Sequence, residues 1–461
     1  MNQHISRRQA LKYGTALPLL LSNPNISLAK KKSDSRPNIV LIMADDLGYG
    51  DLGSYGCPDI QTPSIDNLAQ RGVRFTQYYA NAPECTPTRT ALLTGRYQQR
   101  VGGLECAIGT GNVGRYDDAI RLRGKNQLGL PTSETTIAKR LKGVGYSTAI
   151  TGKWHLGYDA KFNPLDHGFD YFFGSLGGGV DYFHHTEWDG GHFFARNRES
   201  IKPEGYMTDL ISDESVGYIG RQTKEKPFFL YVPYTAPHSP YHGPNDSHQQ
   251  PKNEDDWNVG SRETYAKMVE SMDKGIGRIL DELKKQGFSD NTLIIFCSDN
   301  GGAKYANNGF LSKGKGTCFE GGIRVPCIIS WPGRITYGAI SHQTAITMDL
   351  TASIARIGGI KHVGGKPFDG IDIIKEIEMN RGEFKRTLFW RKRRGERTWR
   401  AVRDGNMKYI SDQNGAQTTE YLFDLSNDPE EKTNLLAHSK TKVWGLKSLL
   451  KSWEAEVKPA R

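Results

Sequence analysis

The chain has 461 residues, which is enough to bury a large core and to form two domains or one large domain with an appendage. Hydrophobic residues make up 37% and charged residues 24%, as is typical of a soluble globular enzyme. The formal net charge of +10 is mildly basic, and the absence of an uninterrupted apolar run of about 18 residues argues against a membrane-spanning helix.

The first 29 residues are predicted to be an export signal peptide. Arg7 and Arg8 precede a short apolar stretch from Ala16 to Leu21, and Ser27–Ala29 provides a small-residue cleavage site. The segment around the two arginines resembles a twin-arginine signal, with a general secretory signal as the alternative. Either route predicts a bacterial protein that is exported to the periplasm or the extracellular space.

Apolar runs alternate with helical patterns along the next part of the chain. The run from Arg36 to Ala44 suits a strand buried on both faces, and Thr62 to Arg71, closed by Gly72, predicts a helix. Strands alternating with helices predict an α/β fold with a doubly wound, mixed or parallel central sheet flanked by helices, and we place this catalytic domain at residues 36–365. Further strands are predicted at Ser147–Ile150, Pro227–Val232, Leu293–Ser298 and Val325–Ser330.

The pattern changes from about Lys366, where a smaller α+β subdomain is predicted at residues 366–461. Its antiparallel strands and one amphipathic helix are predicted at Leu388–Trp390, Trp399–Arg403, Lys408–Ile410, Thr418–Phe423 and Lys442–Val457. Seven basic residues lie between Arg391 and Arg403, against Glu396 as the one acidic residue there. This stretch is expected to form a concentrated basic patch.

Two acidic pairs follow predicted strands. Asp45-Asp46 comes directly after the first strand, and Asp299-Asn300 follows a later one. Ligands in open α/β sheets bind beyond the carboxyl ends of the strands, and four oxygen-bearing side chains suit calcium better than zinc. Either pair alone is equally well explained as a helix cap or a turn, but the two together favour a metal site.

Cys85 begins a third feature, Cys85-Thr-Pro-Thr-Arg89, which continues to Leu93-Thr-Gly-Arg96. Proline near the start of a helix is favoured, so Cys85 is expected at a helix N-terminus, where partial positive charge gathers. The other cysteines are expected to form few disulfide bonds or none, since Cys297 and Cys327 lie within apolar strands.

Together these motifs resemble the formylglycine-dependent sulfatases of the alkaline phosphatase superfamily. The region Asn38 to Arg96 is similar to the family's first signature, and Thr151 to Gly157 to its second. The resemblance extends from about Arg36 to Leu435 in the same order as in the family. Later matching motifs are Ala236-Pro237-His238, Ser298 to Gly302, Lys315 to Gly322, and Tyr421 to Leu425 with Asp428-Pro429.

The resemblance implies that a maturation enzyme oxidises Cys85 to formylglycine (3-oxoalanine), whose aldehyde hydrates to a diol. One diol oxygen, activated by a single bound calcium ion, attacks sulfur and expels the alcohol, and the second hydroxyl then releases sulfate and restores the aldehyde. The implied metal ligands are Asp45, Asp46, Asp299 and Asn300, with residue 85 as a further ligand.

The resemblance also implies separate roles for cations and histidines. Arg89 holds the diol, while Lys153 and Lys315 bind sulfate oxygens and stabilise the transition state. His238 is expected to protonate the leaving alcohol, and His155 to take the proton of the second hydroxyl.

A sulfated carbohydrate is the expected substrate, and a polysaccharide such as a carrageenan-like galactan is the particular expectation. Export, an aromatic loop with Tyr182, Phe183 and Trp188, and the basic stretch with Arg393 and Arg394 favour this reading. The alternatives are a phosphonate or phosphodiester hydrolase of the same superfamily and a non-catalytic binder of sulfated glycans. Export argues against a nucleic-acid partner, and the sequence does not determine the oligomeric state.

Overall fold

The computed structural model describes residues 36–246, 250–251, 253–361 and 366–459. The predicted signal peptide lies outside these described residues. The strands are β1 (Asn38–Ala44), β2 (Val73–Phe75), β3 (Tyr78–Tyr79), β4 (Ser147–Thr151), β5 (Tyr171–Ser175), β6 (Phe194–Arg196), β7 (Glu199–Ser200), β8 (Phe228–Pro233), β9 (Thr292–Ser298), β10 (Cys327–Ser330), β11 (Ala339–Ser341), β12 (Ala345–Ile346), β13 (Thr387–Arg394), β14 (Arg397–Asp404), β15 (Met407–Asn414) and β16 (Gln417–Asp424). The helices are α1 (Pro63–Gln70), α2 (Cys85–Thr94), α3 (Asp117–Gly124), α4 (Ile137–Gly143), α5 (Met207–Gly220), α6 (Glu254–Trp257), α7 (Arg262–Lys285), α8 (Glu320–Ile323), α9 (Thr347–Ile357), α10 (Ile373–Glu378) and α11 (Lys440–Glu456).

A ten-stranded mixed sheet forms the centre of the fold, in the order β11-β2-β10-β9-β1-β8-β4-β5-β6-β7. The five strands from β9 to β5 in this order are parallel, and β10 and β6 flank them in antiparallel orientation. Ala44 at the end of β1 pairs with Ser298 at the end of β9. The residues that follow these two strands therefore leave the sheet side by side.

Both faces of this sheet are covered, which explains the continuous apolar runs. In β1, Ile39 and Leu41 belong to a buried cluster with side chains of α2, α4 and α9. The alternate residues Val40 and Ile42 belong to a second cluster with side chains of α1, α5 and α7. Complete burial of each such side chain contributes about 1.5–3 kcal/mol. The prediction of a doubly wound mixed sheet is confirmed.

The C-terminal region forms a separate four-stranded antiparallel sheet, β13-β14-β15-β16. Trp390 and Ala401 of this sheet pack in one cluster with Leu450 and Trp453 of α11. Each of its strands is longer than predicted, because charged side chains at alternate positions interrupt the apolar pattern along strands such as β13.

The described residues from Arg36 onward group into one compact unit. The division at residues 365 and 366 stays a prediction, since it falls beside a gap in the described ranges. No helix within those ranges is both long and apolar enough to cross a membrane. All six cysteines are free thiols.

Candidate active site

The two acidic pairs meet at the carboxyl ends of β1 and β9, as the sequence predicts. Asp45, Asp46, Asp299 and Asn300 are all buried, and we call them the carboxylate site. The Asp46 backbone N–H donates to Asp299 Oδ1 at 3.3 Å, and Asn300 Nδ2 donates to Asp46 Oδ1 at 2.7 Å. The pairing of two parallel strands therefore brings together Asp46 and Asp299, which are 253 residues apart in sequence.

Two acceptor atoms of the carboxylate site have no protein hydrogen-bond partner. These are Asp45 Oδ1 and Asn300 Oδ1, both fully shielded from solvent. A buried polar atom without a partner costs about 1–3 kcal/mol, so such atoms point to a missing ligand. Hard oxygen acceptors that converge in this way fit a calcium-type cation.

Cys85 is the first residue of α2 and lies against the carboxylate site. Its Sγ and carboxylate oxygens of Asp45 and Asp299 all lie within 4.8 Å of one another. Burial raises the pKa of the Cys85 thiol to about 11, so the unmodified thiol is neutral near pH 7. A neutral thiol is a poor nucleophile and a poor metal ligand.

Three cations surround the carboxylates. Arg89 donates from Nε and a terminal nitrogen to Asp299 Oδ2 at 3.0 and 2.8 Å, and from its other terminal nitrogen to the Lys153 carbonyl at 3.1 Å. Lys153 Nζ donates to Asp45 Oδ2, and Lys315 Nζ donates to Asp46 Oδ2 at 2.7 Å. All of the predicted cations therefore converge on this site, although they come from three distant segments.

Burial and the neighbouring charges shift the pKa of the Asp299 carboxyl group. Burial, and then the neighbouring Asp45 carboxylate, raise the pKa of Asp299 to about 6. Crowded carboxylates of this kind resist ionising together unless positive charge is added, which is the effect of a divalent cation.

The two predicted histidines also lie at the site. His155 Nε2 donates to the Ile108 carbonyl at 2.9 Å, while its Nδ1 is buried without a hydrogen-bond partner. His238 Nε2 lies 3.6 Å from Asp46 Oδ2, and its Nδ1 donates to the Ser239 carbonyl at 2.6 Å. Each ring is thus oriented by a backbone carbonyl, which fixes the nitrogen that carries the proton.

Sequence reasoning missed several groups that pack around these residues. Gly178 lies against His155, because a Cβ at this position would stand 2.3 Å from His155 Nε2. Glu187 accepts from the Gly178 N–H at 2.8 Å and from Tyr158 Oη at 2.9 Å. The run of three glycines from Gly177 is the one sequence signal that indicates such close backbone approach.

Two predictions about substrate-binding surfaces are wrong in part. Tyr182 is completely buried and donates its hydroxyl to the carbonyls of Thr235 and His238, so it supports the loop of His238 and offers no face to a sugar. Of the aromatic residues named for that role, Trp188 is the most exposed, at 50%.

The basic stretch is not one continuous patch either. Alternate residues of β13 point to opposite sides of the sheet. On one side Arg391 pairs with Glu105 and Glu454, and Arg393 pairs with Asp117.

The remaining arginines of the stretch also have partners within the C-terminal region or nearby. Arg397 pairs with Asp412, Arg400 with Glu454, and Arg403 with Tyr79 and Gln77.

The fold is that of the alkaline phosphatase-like superfamily. The family model described as Sulfatase matches residues 37–360, and the chain belongs to this family of sulfuric ester hydrolases.

Individual relatives agree with this assignment. Human N-acetylgalactosamine-6-sulfatase is 33% identical over 362 residues, which cover 75% of this chain and 66% of the human enzyme. The chain thus spans slightly less than two thirds of that relative. Bovine arylsulfatase A is 33% identical over 456 residues, covering 87% and 84% of the two chains. The structure of Ps i-CgsB in complex with k-i-k-neocarrahexaose superposes with a TM-score of 0.77 at 32% identity, covering 91% and 93%.

Proposed function

We propose that this protein hydrolyses sulfate esters of a sulfated carbohydrate outside the cytoplasm. The observation that carries the proposal is the convergence of Cys85 with Asp45 and Asp299 to within 4.8 Å, inside a ring of three cations. A sulfate ester brings negative charge to the reacting centre, and charges fixed in advance stabilise its transition state most effectively.

The carboxylate site would hold one calcium ion. Asp45, Asp46, Asp299 and Asn300 supply the oxygen ligands, and the two partnerless acceptors among them support this assignment. When bound, the ion would polarise a sulfate oxygen and lower the pKa of a coordinated hydroxyl.

Cys85 would be converted by a maturation enzyme to formylglycine, whose hydrated aldehyde supplies the attacking oxygen. The raised pKa of the thiol supports this conversion, since the cysteine itself is a weak nucleophile here. Arg89 lies one helical turn beyond Cys85, and its bonds to Asp299 hold its guanidinium beside residue 85.

Lys153 and Lys315 would bind the sulfate group. Both ammonium groups donate to carboxylates of the site, and Lys153 is completely buried. A cation that occupies Asp45 and Asp46 leaves these ammonium groups with donors for the sulfate oxygens.

The histidines would transfer protons. His155 Nε2 already donates to the Ile108 carbonyl, so its Nδ1 carries the lone pair that accepts a proton. Burial, and then Lys153, lower the pKa of His155 well below its ordinary value, which keeps the ring neutral and able to act as a base.

His238 would be the acid that protonates the leaving alcohol. Burial, and then Lys315, lower the pKa of His238 to about 3, so its ring is neutral before substrate binds. The negative charge of a bound sulfate would raise this pKa and place a proton on Nε2.

The substrate class rests on the relatives, several of which are described by their carbohydrate substrates. A polysaccharide fits the predicted export of the chain, and a carrageenan-like galactan is the particular substrate that we propose, by analogy with the oligosaccharide bound to Ps i-CgsB.

Two measurements on purified, matured protein test the proposal. Peptide mass spectrometry is expected to find residue 85 lighter than cysteine, by the exchange of sulfur for oxygen. Parallel kinetics are expected to give a much higher kcat/KM for an aryl sulfate than for phosphate diesters and phosphonate monoesters. Fully active protein with unmodified Cys85 would refute the formylglycine assignment, and a preference for phosphate diesters would favour the alternative hydrolase.

A further inference from the structure

We infer that a basic cleft beside the reaction centre binds a second sulfate group of the same substrate, so that the protein prefers glycans with sulfates on neighbouring positions. This inference rests on the proposed function and identifies its substrate more narrowly. The cleft has a volume of about 650 Å³. Its charged lining residues are Glu84, Lys304, Lys313, Lys315, Lys392 and Arg394.

The cleft is continuous with the carboxylate site. Lys315 lines the cleft, and its Nζ donates to Asp46 Oδ2 at 2.7 Å. Glu84, which also lines the cleft, directly precedes Cys85 in sequence. A sugar whose sulfate reaches residue 85 would therefore extend its neighbouring substituents into this cleft.

The cleft carries more positive charge than its own carboxylate neutralises. Five cationic side chains line it against Glu84 alone. Glu84 is buried, and one of its oxygens accepts from Lys392 Nζ at 2.7 Å and from Arg394 at 3.3 Å. Its other oxygen accepts from the Ala107 N–H at 2.7 Å. One carboxylate thus positions two cations without cancelling both charges.

Arg394 is the side chain best suited to the incoming anion. Lys392 is largely buried and donates a second bond to the Gly316 carbonyl at 2.9 Å, whereas the Arg394 side chain is 48% exposed. A guanidinium presents five N–H donors in a planar fork, which matches the oxygen geometry of sulfate-like anions. Glu84 orients this fork at one edge, so less conformational freedom is lost when the anion binds.

Strand geometry separates Arg394 from the neighbouring arginine. Arg393, one residue earlier in β13, points to the other side of the sheet and pairs with Asp117. The two residues differ little in sequence context, but only Arg394 lines the cleft. Arg393 therefore provides a matched control for the loss of one positive charge.

The inference is tested by titration calorimetry on the full chain. The probes are two carrageenan oligosaccharides of equal length that differ only in the number of sulfate groups. In Arg394→Gln, we expect the Kd of the more sulfated probe to rise about tenfold more than that of the less sulfated probe, as loss of one charge-assisted contact predicts. Lys304→Gln is expected to act in the same direction, although Lys304 belongs to a different segment. Arg393→Gln is expected to leave both Kd values unchanged.

Three results would overturn the inference: equal weakening of both probes, no weakening of either, or the same selective loss in Arg393→Gln. Failure of the unsubstituted protein to bind either probe would overturn it too. Binding with the expected selectivity but without sulfate release would instead refute the proposed hydrolysis and leave the cleft assignment intact.

Discussion

This protein contains two buried clusters of charged side chains that differ in their hydrogen bonding. The carboxylate site lies at the ends of β1 and β9. The second cluster joins Glu320 at the start of α8, Lys408 on β15 and Glu431, and we call it the Lys408 cluster. All three of its side chains are buried, as are the four of the carboxylate site.

The clusters differ in how completely their hydrogen bonds are satisfied. In the Lys408 cluster, Lys408 donates to Glu320 at 2.7 Å and to Glu431 at 2.8 Å. The second oxygen of Glu320 accepts from Tyr79 Oη, and that of Glu431 accepts from the Glu320 N–H. Every carboxylate oxygen therefore has a donor, while Asp45 Oδ1 in the carboxylate site has none.

This is the difference that we expect between a structural ion cluster and the proposed metal site. Both clusters are buried and both contain charged side chains, so neither property identifies function by itself. Acceptors that lack a protein donor, such as Asp45 Oδ1 and Asn300 Oδ1, retain capacity for a ligand. The motif from Lys315 to Gly322 contributes to both clusters, with Lys315 at the carboxylate site and Glu320 in the Lys408 cluster.

The largest expected effect is that of Asp299→Asn, which removes one charge from the carboxylate site. Sulfatase activity should fall on the order of a thousandfold, since the lost negative charge is the one that pairs with Arg89 and would help to hold the metal. Chelation should also destabilise the unsubstituted protein, by about 2.7 kcal/mol if calcium is initially at 100 times its Kd. Thermal unfolding with and without chelator measures this difference.

Glu320→Gln is the matched control for that experiment, because it removes one buried carboxylate charge from the Lys408 cluster. It should keep the full calcium-dependent stabilisation, whereas Asp299→Asn should lose most of it. If chelation changed neither activity nor stability of the unsubstituted protein, the carboxylate site would not be a metal site.

The Lys408→Met substitution should act on stability. Removing the lysine leaves Glu320 and Glu431 together without their shared partner, and breaking a buried ion pair in this way costs about 3 kcal/mol. Urea unfolding should show the loss as a lower midpoint, while kcat/KM of the folded protein changes by less than about threefold. A large loss of kcat/KM at unchanged stability would contradict a purely structural role.

His238→Ala tests proton transfer within the carboxylate site. We expect kcat for a sugar sulfate to fall about a hundredfold, because an alcohol is a poor leaving group without an acid. An activated aryl sulfate should be slowed far less. Steady-state kinetics on both substrates decide the point, and equal losses on the two would remove His238 from the role of acid.

His155→Ala should instead allow sulfated protein to accumulate at residue 85, detectable by mass spectrometry.

The smallest predicted effect concerns pH and the Lys408 cluster. Burial raises the pKa of Glu431 to about 7, above the ordinary value of 4.5 that it has in an unfolded chain. The folded state therefore binds more protons than the unfolded state between these values, so the contribution of Glu431 to stability falls as pH rises through this window. We expect a loss of about 2 kcal/mol between pH 5 and about pH 7.5.

Comparison with Glu431→Gln isolates this contribution from other titrating groups. The difference in unfolding free energy between the two proteins should vary with pH across the window, and it should be constant if Glu431 keeps an ordinary pKa. Urea unfolding at several pH values provides the measurement.

The carboxylate site was predictable because its geometry follows from local rules. Parallel strands end at one edge of a sheet, so Asp45 and Asp299 were expected at that edge, and the pairing of β1 with β9 brings them together. The position of Cys85 at the start of α2 followed from the proline two residues later, and the four-stranded sheet followed from its short apolar segments.

The basic stretch shows the limit of this reasoning. Its composition predicted one patch with Arg393 and Arg394 acting together, but the structure separates them. Composition records how many charges are present and gives no information about which acidic residues of other segments will neutralise them.

The sequence by itself therefore determined the fold class, the strand ends that carry the acidic pairs and the helix that begins at Cys85. Each of these depends on hydrophobic periodicity and on local backbone preferences, which are written in neighbouring residues. Only the tertiary structure decided that Glu84 would orient Lys392 and Arg394, that Tyr182 would be buried, and that Asp45 would keep an acceptor without a donor. These outcomes depend on the packing of segments that lie tens to hundreds of residues apart, because burial and hydrogen-bond partners are set by whichever side chains that packing brings into contact.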